Sequence, residues 1–389
     1  MVDYQAVMDF VSQQEDRMFS VLRDMVLIQS GSYNKEGVDR VVKLISGFFS
    51  DTPFHIKEIP QDKFGNHLLV CTEAARVSHK SIVVTGHTDT VFPEDTTFNW
   101  YREDKERAYG PGVIDMKGGL VVGMFAMKAL QHLGLSEEIP VRFLFNSDEE
   151  IGSPSSRQII RELAKESEFG FVLECGSLDG RIVTGRKGKI GIRLLVEGGA
   201  GHAAFASEQK PSAILELAHK IIKIEALNDV TAGISVNVGT INGGTGPNVV
   251  AKNAEAGIDV RYTEPSQREI ILSGLERIVG ESIIPVVKSK YRIVSERPPM
   301  PQTERNRRLF EVIRDTGKKI GLDVNDEFRN GVSDANLIAA EGVPVVDGLG
   351  PIGDLDHSER EYMIKKSLPE RTTLFTLSLI ESWKRKGEL

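Results

Sequence analysis

Three short apolar runs, at 82–85, 140–146 and 169–173, each stop at a histidine or a carboxylate, and that recurrence constrains the fold most. The first run, Ile82-Val83-Val84-Thr85, ends in Gly86-His87-Thr88-Asp89-Thr90-Val91. The second ends in Asn146-Ser147-Asp148-Glu149-Glu150, and the third in Glu174. β-branched and aromatic runs of this length read as buried strands. Between them lie helical patterns at 116–133 and 153–164, so strands and helices alternate. Such alternation predicts an α/β fold with a mixed, mostly parallel sheet and helices on both faces. In such folds functional side chains gather beyond the C-terminal ends of the parallel strands. A strand-end His-x-Asp is common by chance; its repetition with acids at the following strand ends is not.

Near Lys187 the character changes. Strand patterns at 190–196, 234–242, 255–262 and 285–294 enclose helical patterns at 211–227 and 266–279. That order, βαββαβ, predicts an inserted ferredoxin-like α+β domain. The expected division is residues 1–187 and 296–389 for a catalytic domain, with 188–295 as an inserted dimerisation or lid domain. A length of 389 residues supports more than one core.

Composition narrows the function. With 56 acidic against 48 basic residues the net charge is -8, which argues against a nucleic-acid partner. No uncharged apolar run is long enough to span a membrane, and the acidic N-terminus lacks the features of a signal peptide. The two cysteines, Cys71 and Cys175, form neither a disulfide framework nor a CxxC pair. A cytoplasmic enzyme is the expectation.

The turn-rich Tyr109-Gly110-Pro111-Gly112 leads to Asp115, and Gly350-Pro351-Ile352-Gly353-Asp354-Leu355-Asp356-His357 supplies a second histidine. Each has a bland alternative: Asp115 as a helix N-cap, the Glu149–Glu150 pair as solvated acids, His357 as a surface residue. Together, two histidines and three carboxylates can hold two divalent ions if one aspartate bridges them, leaving room for water. A two-metal centre lowers the pKa of water and polarises a carbonyl. Of two adjacent glutamates, one can coordinate while the other serves as general base.

These motifs, with Asn146-Ser147-Asp148-Glu149-Glu150-Ile151-Gly152-Ser153, resemble the co-catalytic zinc exopeptidases and deacylases. That family includes acetylornithine deacetylase, succinyl-diaminopimelate desuccinylase, aminoacylase and glutamate carboxypeptidase, the last branch being the most similar. The resemblance implies that Asp115 bridges two metal ions, one held by His87 and Glu174, the other by Glu150 and His357. Zinc is the expected ion, with cobalt or manganese as substitutes. Glu149 would be the general base, and Asp89 would position His87. Gly201-His202-Ala203-Ala204 resembles a family signature whose histidine stabilises an oxyanion, often in a partner subunit, so a homodimer is implied. Asn248 and Arg261 become candidates for the substrate carboxylate, a task suited to a guanidinium fork. Ser333, in Gly331-Val332-Ser333-Asp334-Ala335, borders the substrate pocket in this reading, or else caps the following helix.

The expected function is hydrolysis of an amide or peptide bond beside a free carboxylate, as in glutamate-type carboxypeptidases. The alternative is a deacylase of N-acyl amino acids; a non-catalytic metal-stabilised scaffold fits less well, having no use for Glu149. Gly348-Leu349-Gly350-Pro351-Ile352-Gly353 matches G-x-G-x-x-G, but no ribose-binding acid follows in place. No G-x-S-x-G elbow is present.

Overall fold

The computed structural model describes residues 3–205 and 210–389, and counts below refer to those residues. They form two compact units, one of residues 3–185, 302–329 and 333–389, the other of 186–301 and 330–332, less 206–209.

The first unit is built on a six-stranded sheet. Its strands are β1 (His55–Ile59), β2 (His67–Cys71), β3 (Ser81–His87), β4 (Val141–Asn146), β5 (Ser167–Val172) and the short Val345–Val346. The order is β1-β2-β4-β3-β5 followed by Val345–Val346. β4, β3, β5 and Val345–Val346 run parallel, while β1 and β2 add an antiparallel edge. All seven residues of β3 are buried, which requires cover on both faces and explains its unbroken apolar run. Helix Lys117–His132 supplies part of that cover, packing on β3 and on helix Ser367–Lys384. Its close approach depends on Gly119, where a Cβ would lie 1.9 Å from the Leu173 carbonyl oxygen. The helical pattern read at 153–164 begins later, at Arg157, because Asp148 gathers Ser155 and Ser156 into a turn first.

A second, small sheet in this unit joins Gly353–Asp354, Tyr362–Ile364, Arg107–Tyr109 and Arg102–Glu103 in that order. It sets the loop carrying His357 beside the turn that leads to Asp115. No helix among the described residues is long and apolar enough to cross a membrane.

The second unit has four antiparallel strands, β6 (Gly188–Glu197), β7 (Ser235–Gly243), β8 (Asn253–Tyr262) and β9 (Lys288–Arg297), in the order β7-β8-β6-β9. Helices Ala213–Glu225 and Gln267–Gly280 follow β6 and β8, completing βαββαβ. Burial alternates along β8, so one sheet face meets the helices and the other stays open. At its base Arg186 and Met300 exchange two backbone hydrogen bonds, which carries the unit past β9 to Pro301.

Candidate metal centre

Each acid or histidine arrives on a backbone that leaves it little freedom. β3 and β4 are paired in parallel so that His87 lies opposite Asn146, directly before the 147–150 turn. The ends of neighbouring strands therefore converge on one spot. Asp115 reaches that spot from the Gly112 turn, where Gly112 has a φ of +74°, a conformation suited to glycine.

The His87 Nδ1 lies 2.9 Å from the Asp89 backbone oxygen, an atom that only accepts, so Nδ1 carries the proton. Nε2 is thereby left to face the cluster. It stands 3.1 Å from Asp115 Oδ1 and 3.6 Å from Glu174 Oε1. On the other side His357 Nε2 stands 2.9 Å from Asp115 Oδ2 and 3.4 Å from Glu150 Oε2. Asp115 thus turns one oxygen to each histidine, and each histidine has its own glutamate. His357 holds this position with a φ of +58°, rare for a residue with a side chain.

The structure refines the part given to Asp89. Its carboxylate is 3.5 Å from His87 Nδ1, farther than its own backbone oxygen. The carboxylate also accepts from the Ser32 hydroxyl at 2.6 Å and from the N–H groups of Glu149 and Glu150 at 3.2 and 3.3 Å. Asp89 therefore ties the glutamate turn to the histidine strand. The Glu149 carboxylate, half-buried, converges with His87 and Glu174 to within 4.8 Å.

The electrostatics follow from crowding acids in a nearly dry space. Burial, then repulsion from Asp115, pushes the Glu174 carboxyl well above the carboxylate range and Glu150 up to about 7. For Asp115 burial acts upward too, but hydrogen bonds from His357 and His87 outweigh it and hold the group below its ordinary range. His357 is drawn up to about 11 by its hydrogen bonds to Asp115 and Glu150. Burial opposes the charge on His87, yet Asp115 and Asp89 raise it well above the usual value. Such a cluster demands positive charge, which protons or metal dications can supply at the same nitrogens.

The residues fit two metal ions. Nitrogen and oxygen ligands about 2.1 Å from a tetrahedral ion sit about 3.4 Å from one another, close to the separations above. Glu150 Oε1 is a buried acceptor with no hydrogen-bond donor. Three overlapping groups of possible ligands bring their atoms within 4.8 Å of one another: His87 with Glu149 and Glu174, His87 with Asp115 and Glu150, and Asp115 with Asp356 and His357.

Glu361 was not distinguishable in the sequence, where it is one acid in Ser358-Glu359-Arg360-Glu361. Fully buried, it accepts the N–H groups of Gly112 and Ile114 at 2.8 Å and of Asp115 at 3.2 Å. Burial still lifts its carboxyl to about 8, against the pull of these donors. It fixes the turn that presents Asp115. Glu361→Ala is expected to fold yet bind metal about 10- to 100-fold more weakly, measured by competition with a chromogenic chelator. Unchanged affinity would remove Glu361 from the account.

Three of the remaining candidates, His202, Asn248 and Arg261, belong to the second unit and Ser333 to the first. In the second unit, Gly201–His202 pairs with Val249–Val250, which brings His202 beside Asn248. Both side chains are exposed, and the His202 Nδ1 accepts from the Ala204 N–H at 3.2 Å. Arg261, on β8, is paired with Asp259 at 2.7 Å. Ser333 belongs to the first unit and is only 1% exposed. Its hydroxyl donates to Asp347 at 2.6 Å and accepts from the Ala335 N–H, so its bonds are spent inside the fold.

Two histidine–glutamate pairs sharing one aspartate define a centre able to hold a metal pair. Residues 83–381 match the model of peptidase family M20/M25/M40, and the chain belongs to that family. It is 25% identical over 370 residues to carboxypeptidase G2 of Pseudomonas sp. (strain RS-16), covering 92% of this chain and 88% of that protein. It is 28% identical over 320 residues to succinyl-diaminopimelate desuccinylase of Shewanella piezotolerans, covering 76% and 81%. Among solved structures, aminopeptidase PepT of Bacillus cereus superimposes with a TM-score of 0.77 at 21% identity, covering 94% of this chain and 98% of that one. The chain is thus a metal-dependent peptidase or amidohydrolase by family.

Proposed function

We propose that this chain uses two divalent metal ions to hydrolyse an amide or peptide bond beside a free carboxylate, as a glutamate-type carboxypeptidase. The observation that carries the reading is Asp115, whose two oxygens face two histidines, each backed by a separate glutamate. In this reading His87 and Glu174 hold one ion, His357 and Glu150 the other, and Asp115 joins them. When bound, the ions acidify water and polarise the scissile carbonyl. Zinc suits the mixed nitrogen and oxygen donors, with cobalt or manganese as substitutes.

Glu149 is the proton carrier. Its backbone is held by Asp89, so its carboxylate can take a proton from the attacking water and return it to the leaving amine. Motifs in the second unit give His202 the developing oxyanion and assign Asn248 and Arg261 to the substrate carboxylate. We infer a homodimer on the same motif, with the second unit as its dimerisation domain. A reducing, cytoplasmic setting accords with two free cysteines.

The carboxypeptidase reading leans on the similarity to carboxypeptidase G2 across nearly the whole chain. The deacylase reading has its own support in the desuccinylase relative. Incubating the zinc-loaded protein with glutamate-terminated dipeptides, a folyl-glutamate, and N-acetyl and N-succinyl amino acids separates them. Release of C-terminal glutamate, abolished by a chelator and restored by zinc, is expected. Turnover confined to the acyl amino acids would replace the carboxypeptidase by the deacylase.

A further inference from the structure

One carboxylate, that of Asp334, grips the segment carrying Glu149 and Glu150 by both its ends. Its Oδ2 accepts from the Asn146 side-chain amide at 2.7 Å, and its Oδ1 accepts from the Ser153 hydroxyl at 2.6 Å. Asn146 is the last residue of β4, and Ser153 stands just beyond the Glu149–Ile151 turn. All three residues are buried. Asp334 occupies the N-cap position of helix Ala335–Ala339, where an aspartate ordinarily bonds its own helix. It makes no such cap bond, and the Ser333 hydroxyl accepts the Ala335 N–H instead. Ser153 has a φ of +55°, which a residue with a side chain keeps only where its surroundings impose it. The grip has firm footing. The Ser333 N–H donates to Asn336 Oδ1 at 2.9 Å and the Ser333 hydroxyl to Asp347, while helix Ala335–Ala339 packs on helix Arg157–Lys165.

We infer that Asp334 is a positioning residue for the proposed hydrolysis: by fixing Asn146 and Ser153 it sets where Glu149 and Glu150 stand at the metal centre. The inference rests on the metallohydrolase reading and adds a residue to its machinery. Asp89 holds the N–H groups of the two glutamates in the middle of the turn, and Asp334 holds the turn's ends. Release of either end lets residues 147–152 shift, and a displacement of about 1 Å can cost a rate on the order of a hundredfold. The grip needs two hydrogen bonds rather than a charge. An asparagine in its place can accept from Asn146 with its oxygen and donate to the Ser153 hydroxyl with its amide.

The test measures amide hydrogen exchange and kinetics on zinc-loaded wild type, Asp334→Ala, Asp334→Asn and Ser153→Ala. In Asp334→Ala the backbone amides of 147–153 should exchange about tenfold faster or more, with those of β3 and β5 unmoved. On whichever glutamate-terminated peptide or acyl amino acid the wild type hydrolyses, its kcat per zinc-loaded chain should fall about 10- to 100-fold, with KM within about twofold. A purely structural role would lower the melting temperature and the folded fraction while leaving that kcat unchanged. Asp334→Asn should stay within about threefold of wild type. Ser153→Ala, the milder change should Asp334→Ala not fold, should lose one grip, with the same local exchange and a kcat about 3- to 10-fold lower. Exchange quickened throughout the first unit overturns the inference, as does Asp334→Asn as impaired as Asp334→Ala. No turnover in any protein, wild type included, overturns the hydrolase reading and the positioning role with it. Wild-type turnover beside an unimpaired Asp334→Ala or Ser153→Ala overturns the positioning role alone.

Discussion

Glu149→Ala is expected to keep both metal ions and lose kcat by about a hundred- to ten-thousand-fold. The expectation follows from where the side chain stands. The backbone of Glu149 is fastened to Asp89 Oδ1 at 3.2 Å, while its neighbour Glu150 faces His357 at 3.4 Å. In the proposed chemistry the turn divides two adjacent acids between two tasks. Removing the Glu149 carboxylate should leave the other donors in place and take away only the group that carries the proton. Glu149→Asp should recover part of the rate, because it restores the acid one methylene short. Metal content by plasma emission and kcat on the same preparation provide the check. Near-normal turnover in Glu149→Ala would end the assignment, and loss of metal would make Glu149 a ligand instead.

Asp115→Asn is expected to act at the other end of the chain of cause. Its single amide oxygen can serve one histidine, whereas the carboxylate serves His87 with Oδ1 and His357 with Oδ2. The substitution also removes one negative charge from a cluster whose acids would balance two dications in the proposed centre. Metal content should fall to one ion per chain or fewer, with turnover reduced more than about a thousandfold, the combined loss of two-metal polarisation and water activation. Two tightly held ions in Asp115→Asn would show that the aspartate does not join them.

The strand and helix framework is legible because β3, β4 and β5 are buried along nearly their whole length, so their central residues are apolar or glycine. The ferredoxin-like order of the second unit was legible for a related reason: alternating burial in β8 writes a period of two into the sequence. Much of the support around the cluster was not. The sheet that brings the His357 loop to the Asp115 turn uses strands of two or three residues, too short to leave a periodic pattern. Glu361 makes its contacts 246 to 249 residues away in sequence, and its own surroundings are polar. The motif pairs Asp89 with His87, and nothing in its spacing announces that the carboxylate also serves Ser32 and the glutamate turn. Ser333 stood between a pocket residue and a cap, and its bond to Asp347 spends the hydroxyl within the fold. The unit boundary moved for a local reason too: Arg186 and Met300 are paired, which no motif announces.

The claim on which the rest depends is that one aspartate and two histidine–glutamate pairs make a two-ion centre. Calorimetric titration of chelator-stripped protein with Zn2+ tests it most directly. Two ions bound per chain, with hydrolytic activity rising as both sites fill, is the predicted result. A single site per chain, or full activity in protein that has bound no metal, would contradict it.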